Sequence, residues 1–153
     1  MPWVLAALLT VSNGSCHSIP PGVEGSCHSL HKPARSSSME DPSLPPSNAV
    51  DGNPDTRWSS NFFDPQWIMV DLGKPRRIMT VRLVWEKAFG REYEIQVSDD
   101  AKQWTRIHYT ATGRGGIETI KRLNARARYV RYHGTARGSN FGHSLIEFEV
   151  YGE

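Results

Sequence analysis

Asn48-Ala49-Val50-Asp51-Gly52-Asn53-Pro54-Asp55-Thr56-Arg57-Trp58-Ser59-Ser60 concentrates turn formers, oxygen donors, one arginine and one tryptophan in a short stretch. Gly52 permits a positive φ, and Pro54 sets the next bend. Asp51, Asn53, Asp55 and Thr56 offer closely spaced oxygens, and a hard cation such as calcium takes six to eight of them. The Asp51-x-Asn53-x-Asp55 spacing copies the start of an EF-hand loop. That motif is excluded, because its glycine position holds Thr56 and its final glutamate position holds Phe62. Alone, such a turn is compatible with a plain turn, so its meaning rests on what surrounds it.

Downstream, the chain reads as strands. Trp67-Ile68-Met69-Val70-Asp71-Leu72 is a strand run closed by Gly73 and Pro75. Ile78–Trp85 places Val81, Leu83 and Trp85 on one face, with Thr80 and Arg82 opposite. Tyr93, Ile95 and Val97 alternate with Glu94, Gln96 and Ser98, the period of two expected of a half-buried strand. Ser98–Lys102 is turn chemistry leading into Trp104–Tyr109, and Gly113–Gly116 is a flexible loop. Glu118–Leu123, Arg128–His133 and Leu145–Tyr151 complete the set. Short strands with no amphipathic helix between them predict an all-β sandwich or barrel, with room for one or two helical turns only.

The chain has 153 residues and a formal net charge of +2. That length suits one domain able to bury a core. Residues 1–72 carry three basic and seven acidic side chains, whereas 73–153 carry fifteen and nine. The arginines of the basic half stand singly among acids in strand-like segments. This pattern belongs to solvated strand faces, and no nucleic-acid partner is expected.

No run approaches the roughly 18 apolar residues that span a bilayer. The apolar run Val4–Leu9 before Ser12-Asn13-Gly14-Ser15 looks like a short secretory core without a basic start, so export to an extracellular location is the expectation. Residues 12–47 are rich in Ser, Pro, Gly and His, and read as a flexible linker. Within them Gly14-Ser15-Cys16-His17-Ser18 recurs as Gly25-Ser26-Cys27-His28-Ser29. The C-x₂₋₄-C spacing of zinc sites is absent, and a Cys16–Cys27 disulfide is the better reading in an oxidising compartment. The expected division is a secretion segment and linker over 1–33, and a domain over 34–153.

Several motifs then follow one another in order. They are Asn48–Asn53, Thr56-Arg57-Trp58-Ser59-Ser60, Trp67-Ile68-x-Val70-Asp71-Leu72-Gly73 and Tyr93-x-Ile95-x-Val97-Ser98-x-Asp100. Ala127-Arg128-Tyr129-Val130-Arg131 and Ser144-Leu145-x-Glu147-Phe148-Glu149-Val150-Tyr151-Gly152 close the series. Over about Ala34–Glu153 the chain resembles the discoidin, or coagulation factor V/VIII type C, domains. More narrowly, it resembles the carbohydrate-binding modules of bacterial secreted glycosidases. The resemblance implies a galactose-binding-like, eight-stranded jelly-roll β-sandwich with binding loops at one end.

It also implies a structural Ca2+ where the Asp51-Gly52-Asn53 turn meets the last strand. The implied ligands are the Asn48 carbonyl, the Asp51 carboxylate, the Asn53 carbonyl, Thr56, the Ile146 carbonyl and the Glu147 carboxylate. Two carboxylates neutralise a dication while carbonyls complete its shell. The bland alternative is that Asp51 caps the turn and Glu147 lies on a solvated face.

For the ligand, the motifs assign Trp58, Trp67 and Trp85 to the core. Loop aromatics remain: Phe62, Phe63, Phe89 and Phe141. A sugar offers an apolar C–H face rimmed by hydroxyls, and so favours an aromatic plate ringed by carboxylate, amide and guanidinium. Glu40, Glu86, Arg91 and Asn140 would supply that rim if their loops converge. In the chitosan-binding relatives, acidic side chains near the positions of Glu40 and Glu86 meet the ligand, as a cationic amino sugar requires. His143 stands where the family often has tyrosine, and reads as a packed loop residue.

No catalytic motif is present. Nothing in the sequence sets a separation for Glu40 and Glu86 as a glycosidase pair, and H-E-x-x-H, G-x-S-x-G and phosphate-cradle patterns do not occur. The expected function is therefore a non-catalytic module that binds a glycan or polysaccharide, of amino-sugar, glucan or galactose type, with a glycoside hydrolase as its partner enzyme. The competing expectation is an adhesion module that presents Phe62-Phe63 to anionic membrane lipid or to a protein.

Overall fold

The computed structural model describes Cys16 and residues 18–153. Among these, nine strands are connected by turns. They are β1 (Ser26–Cys27), β2 (Ala34–Ser36), β3 (Trp58–Ser59), β4 (Gln66–Trp85), β5 (Gly90–Ser98), β6 (Thr105–Thr110), β7 (Ile117–Ile120), β8 (Ala125–Arg137) and β9 (Ser144–Gly152). A single 3-10 turn, Pro46–Val50, is the helical element among the described residues. All strand pairings are antiparallel.

β4 organises the sandwich. The two runs expected as separate strands are one strand of 20 residues, bent at Gly73–Pro75. Gly73 has φ +87, and a Cβ there would meet nothing within 4 Å, so the backbone angle is what requires glycine. Asp71 braces the bend: its Oδ1 accepts the Gly73 N–H at 2.8 Å, and Arg128 grips both carboxylate oxygens at 2.8 and 2.9 Å. Pairing with β8 shifts register between Asp71 and Arg76. Before the bend, β4 lies between β2 and β8, and the layer continues through β5 to β6. After it, β4 keeps β8 as a partner over Arg76–Ile78 and then lies between β7 and β9, and β9 takes β1 and β3 on its other edge. One bent strand thus runs through both layers. The all-β sandwich expected from the strand periodicity, and the jelly roll that the resemblance implies, is the fold observed, with nine strands among the described residues where eight were expected.

The core lies between the layers. Ile68, Val70, Val81, Leu83, Ile95, Val130, Phe148 and Val150 are fully inaccessible, as is Trp58. Trp58 also donates its indole N–H to the Ser38 carbonyl at 3.0 Å, which satisfies its one polar atom in the interior. Trp85 belongs to this core, but Trp67 does not. It is half-buried on the outer sheet face, where the Arg131 guanidinium lies 5.9 Å from its ring and 4.1 Å from that of Trp104.

The segment before β2 packs on the sandwich. The apolar run expected as a secretion signal lies outside the described residues. The described part of the expected linker is docked. Ser26 and Cys27 pair with Gly152 and Tyr151 of β9, and Cys27 is disulfide-bonded to Cys16. Cys16, Val23 and Tyr151 form a second apolar cluster, with Cys27 and Leu30 against it. Val150 donates its N–H to the buried Ser29 hydroxyl at 3.0 Å, and His31 donates its own to the Val50 carbonyl at 2.7 Å. This segment shows no apolar period because it pairs through two residues only. Its apolar surface is supplied from the far end of the chain, by the outward ring of Tyr151.

Candidate ligand groove and carboxylate pair

At one end of the sandwich, loops from distant parts of the chain surround a groove of about 360 Å³. Phe62 and Phe141 line it, with rings edge to face at 5.8 Å and an interplanar angle of 84°. Glu40 and Glu86 line it as well, beside Arg57, Ser59, Lys87 and Ala88. Glu40 is fixed by the edge strand: Ser59 donates its hydroxyl to Glu40 Oε2 at 2.6 Å, and Arg57 Nη1 stands 4.0 Å from that oxygen. Arg57 is itself anchored to Ser144 Oγ at 2.8 Å. Glu86 closes a short turn by accepting the Ala88 N–H at 3.1 Å, and backbone bonds join Glu86 and Ala88 to Ser144. The lining is thus held in place by β3 and the start of β9, and two phenyl rings and two carboxylates contribute to it.

Of the residues expected to meet a sugar, the structure brings Glu40, Phe62, Glu86 and Phe141 to this groove. Phe63, Arg91 and Asn140 do not line it. Phe63 is exposed, and its carbonyl accepts from Gln66 Nε2 at 3.0 Å. Arg91 lies near the start of β5, where its carbonyl accepts the Gly113 N–H at 2.8 Å. Phe89 is half-buried beneath Gly115 and Gly138, whose missing side chains leave room for its ring. Arg57 and Ser59 were legible in principle: they flank Trp58, so strand alternation turns them away from the core it fills. Lys87 carried no signal beyond adjacency to Glu86.

His143 is fully buried behind this groove, as a packed residue. Burial pushes its pKa down, and the hydrogen bond with Asp64 works against that. Burial works to raise the Asp64 carboxyl, yet bonds from His143 and Arg137 outweigh it and hold Asp64 below its ordinary value.

A second polar feature sits on the outer face of β9. Glu147 is 5% exposed, and its Oε1 has no hydrogen-bond partner. Burial first, and then the nearby Asp51 carboxyl, push Glu147 up to about 9. Asp51 accepts the Asn53 N–H at 2.9 Å and the Thr56 hydroxyl at 2.6 Å. The Thr56 hydroxyl also lies 3.2 Å from the Asn53 carbonyl. The Asn48 side chain is engaged elsewhere, donating to the Ser43 and Arg57 carbonyls at 3.1 and 3.0 Å. Ile146 is the extra residue where the β4–β9 register shifts. Two acids share a pocket in which one buried oxygen is orphaned, and either a proton or a cation relieves that arrangement.

The model of the F5/8 type C domain family matches residues 33–148. The chain is 46% identical to chitosan-binding module 1 of a chitosanase/glucanase from Paenibacillus sp. IK-5. That likeness covers 82% of this chain and 98% of the module, with a TM-score of 0.80. Module 2 of the same enzyme, solved with chitotriose, is 42% identical over 81% of this chain and 98% of its own, with a TM-score of 0.79. A family 32 module from Clostridium perfringens NanJ, solved with galactose, shares the fold at 22% identity, with a TM-score of 0.72 over 82% of this chain and 97% of its own. A polysaccharide lyase 8 family protein, HylA of Enterococcus faecalis, is 36% identical over 67% of this chain. The match spans only 8% of that lyase.

Proposed function

The chain belongs to the F5/8 type C domain family, and from that premise we propose that it is a non-catalytic carbohydrate-binding module whose ligand is an amino-sugar polysaccharide. The observation that carries this reading is the groove itself. Phe62 and Phe141 supply an apolar wall for the C–H face of a sugar, and Glu40 and Glu86 supply carboxylates for a cationic amine. The likeness to two chitosan-binding modules at more than 40% identity supports the same class. The groove borders a more open depression, which shares Glu86 and Lys87 and runs on to Arg114. That continuity suits a chain rather than a single terminal sugar.

In this reading Ca2+ has a structural part. Asp51 and Glu147 would hold it by their carboxylates, with Thr56 and the Asn53 carbonyl close by, and it would neutralise the buried acid pair. The orphaned Glu147 Oε1 supports a cation there. The Cys16–Cys27 disulfide supports an oxidising, extracellular setting. A neighbouring polysaccharide-degrading enzyme is the proposed partner, and targeting that enzyme to its substrate the proposed role.

Titration calorimetry with chitotriose, N-acetylated chitotriose and galactose tests the assignment. Chitotriose should bind, added salt should weaken it, and acetylation should abolish most of the heat. Binding of galactose alone would overturn the amino-sugar class while leaving a carbohydrate module in place. The exposure of Phe62, Phe63 and Phe141, at 45%, 56% and 57%, favours membrane adhesion as the second reading. Capture on anionic liposomes with no glycan binding would make that the function.

A further inference from the structure

A chain of polar contacts runs from the core to both aromatic walls of the groove. Its inner end is Tyr132, fully buried, whose hydroxyl lies 2.8 Å from His143 Nδ1. His143 Nε2 lies 2.8 Å from Asp64 Oδ1. A carboxylate only accepts, so Nε2 carries the proton and Nδ1 accepts from the tyrosine. The other Asp64 oxygen accepts from Arg137 twice, from Nε at 3.2 Å and from the backbone N–H at 3.3 Å. Arg137 then donates Nη1 to the Phe62 carbonyl at 2.6 Å and lies within reach of the Phe141 carbonyl at 3.4 Å.

Room is made for this chain in two strands. A Cβ on Gly90 of β5 or on Gly134 of β8 would strike the Tyr132 hydroxyl, and at Gly134 the His143 ring as well. A lone edge-to-face contact between two exposed rings is too weak to hold two loops in register. The loops are joined at their base by Ser60 and His143, whose backbone bond is 2.9 Å, but Arg137 reaches the ring-bearing residues themselves.

We propose that Arg137, held by Asp64, is the positioning residue of the groove: it fixes the separation of Phe62 and Phe141 through their backbone carbonyls and touches no ligand. This rests on the groove being the glycan site. His143 and Tyr132 set the orientation of Asp64 and transmit the rigidity of the core. The aromatic wall is therefore preformed, and binding spends no free energy on ordering the two loops.

The experiment compares Arg137→Met, Arg137→Lys and Asp64→Asn with the full wild-type chain. It measures chitotriose affinity and the nuclear Overhauser contact between the Phe62 and Phe141 rings without ligand. Arg137→Met should weaken binding at least tenfold and erase the ring–ring contact, with core amide shifts unchanged. Arg137→Lys keeps a donor for the carbonyls but gives up Asp64, and should fall between. Where Arg137→Met does not fold, Asp64→Asn carries the test in the same direction. Wild-type affinity in Arg137→Met overturns the proposal, and so does lost affinity with the ring contact intact. Phe141→Ala distinguishes the two levels. If it binds chitotriose as the wild type does, the groove reading falls and takes this one with it. If it loses binding while Arg137→Met does not, only the positioning role falls.

Discussion

Glu147 makes a prediction in which calcium and pH are linked. In the metal-free chain its folded pKa is raised to about 9, against an ordinary value of 4.5. Between those values the folded state holds a proton that the unfolded state has released. Stability must then fall as pH rises, by up to about 1.4 kcal/mol per pH unit. From about pH 7 to about pH 9 the loss amounts to about 2 kcal/mol, because the slope fades near the upper value. For a chain of this size that lowers Tm by roughly 4–8 °C.

Other groups leave this window clear. His28, His108, His133 and His143 are all lowered from 6.5, so their effect is complete below it. Asp64 and Asp71 are lowered from 3.8, and the raised tyrosines start from 10. The assay is thermal unfolding in chelator at a series of pH values, repeated in calcium. The chelated chain should lose Tm as pH rises. The calcium form should not, since a cation holding both carboxylates ionised leaves no proton to lose. Glu147→Gln should flatten the chelated profile and abolish the response to calcium. A chelated wild-type Tm that is level or rising across the window would refute the argument. Identical profiles with and without calcium would remove the metal and leave the buried acid pair.

Other perturbations have equally definite outcomes. Glu86→Gln removes a charge-assisted bond worth about 1.5–3 kcal/mol and should weaken chitotriose binding at least tenfold by calorimetry, with Tm nearly unchanged. Reducing the Cys16–Cys27 bond should lower stability by about 2–3 kcal/mol, read as a shift in the denaturant midpoint. Deleting residues 1–33 should lower it further, because Tyr151 loses its apolar cover; an unchanged midpoint would show that the docked segment contributes nothing. Gly73→Ala places a Cβ at φ +87 and should destabilise by about 1–2 kcal/mol in denaturant titration.

Much of the fold was legible in the sequence, because strand periodicity is local chemistry. Tyr93, Ile95 and Val97 alternate in the chain and all join the core, as do Phe148 and Val150; the residues between them take the opposite face, where Gln96 and Glu149 are buried too. The Asp51-Gly52-Asn53 turn and the positive φ of Gly52 follow equally from residue type. Part of the groove was legible for a similar reason, since jelly-roll connectivity gathers loops at one end and Phe62, Phe141, Glu40 and Glu86 are loop residues.

What tertiary structure alone decided depends on partners far away in the chain. Gly73–Pro75 ends a strand when read locally. Pairing of β4 with β2 before it, with β7 and β9 after it, and with β8 on both sides turns it into a bend within one strand. Residues 18–33 carry no periodic signal, because the surface they dock on belongs to Tyr151 and Val150. Trp67 resembles a core tryptophan until Arg131, itself stacked on Trp104, claims it from the outer face. Arg137 looks like any strand-end arginine until Asp64, Phe62 and Phe141 come within reach of its guanidinium. Local sequence sets which face a side chain takes and where the chain turns, whereas what that side chain meets there is set by long-range strand register.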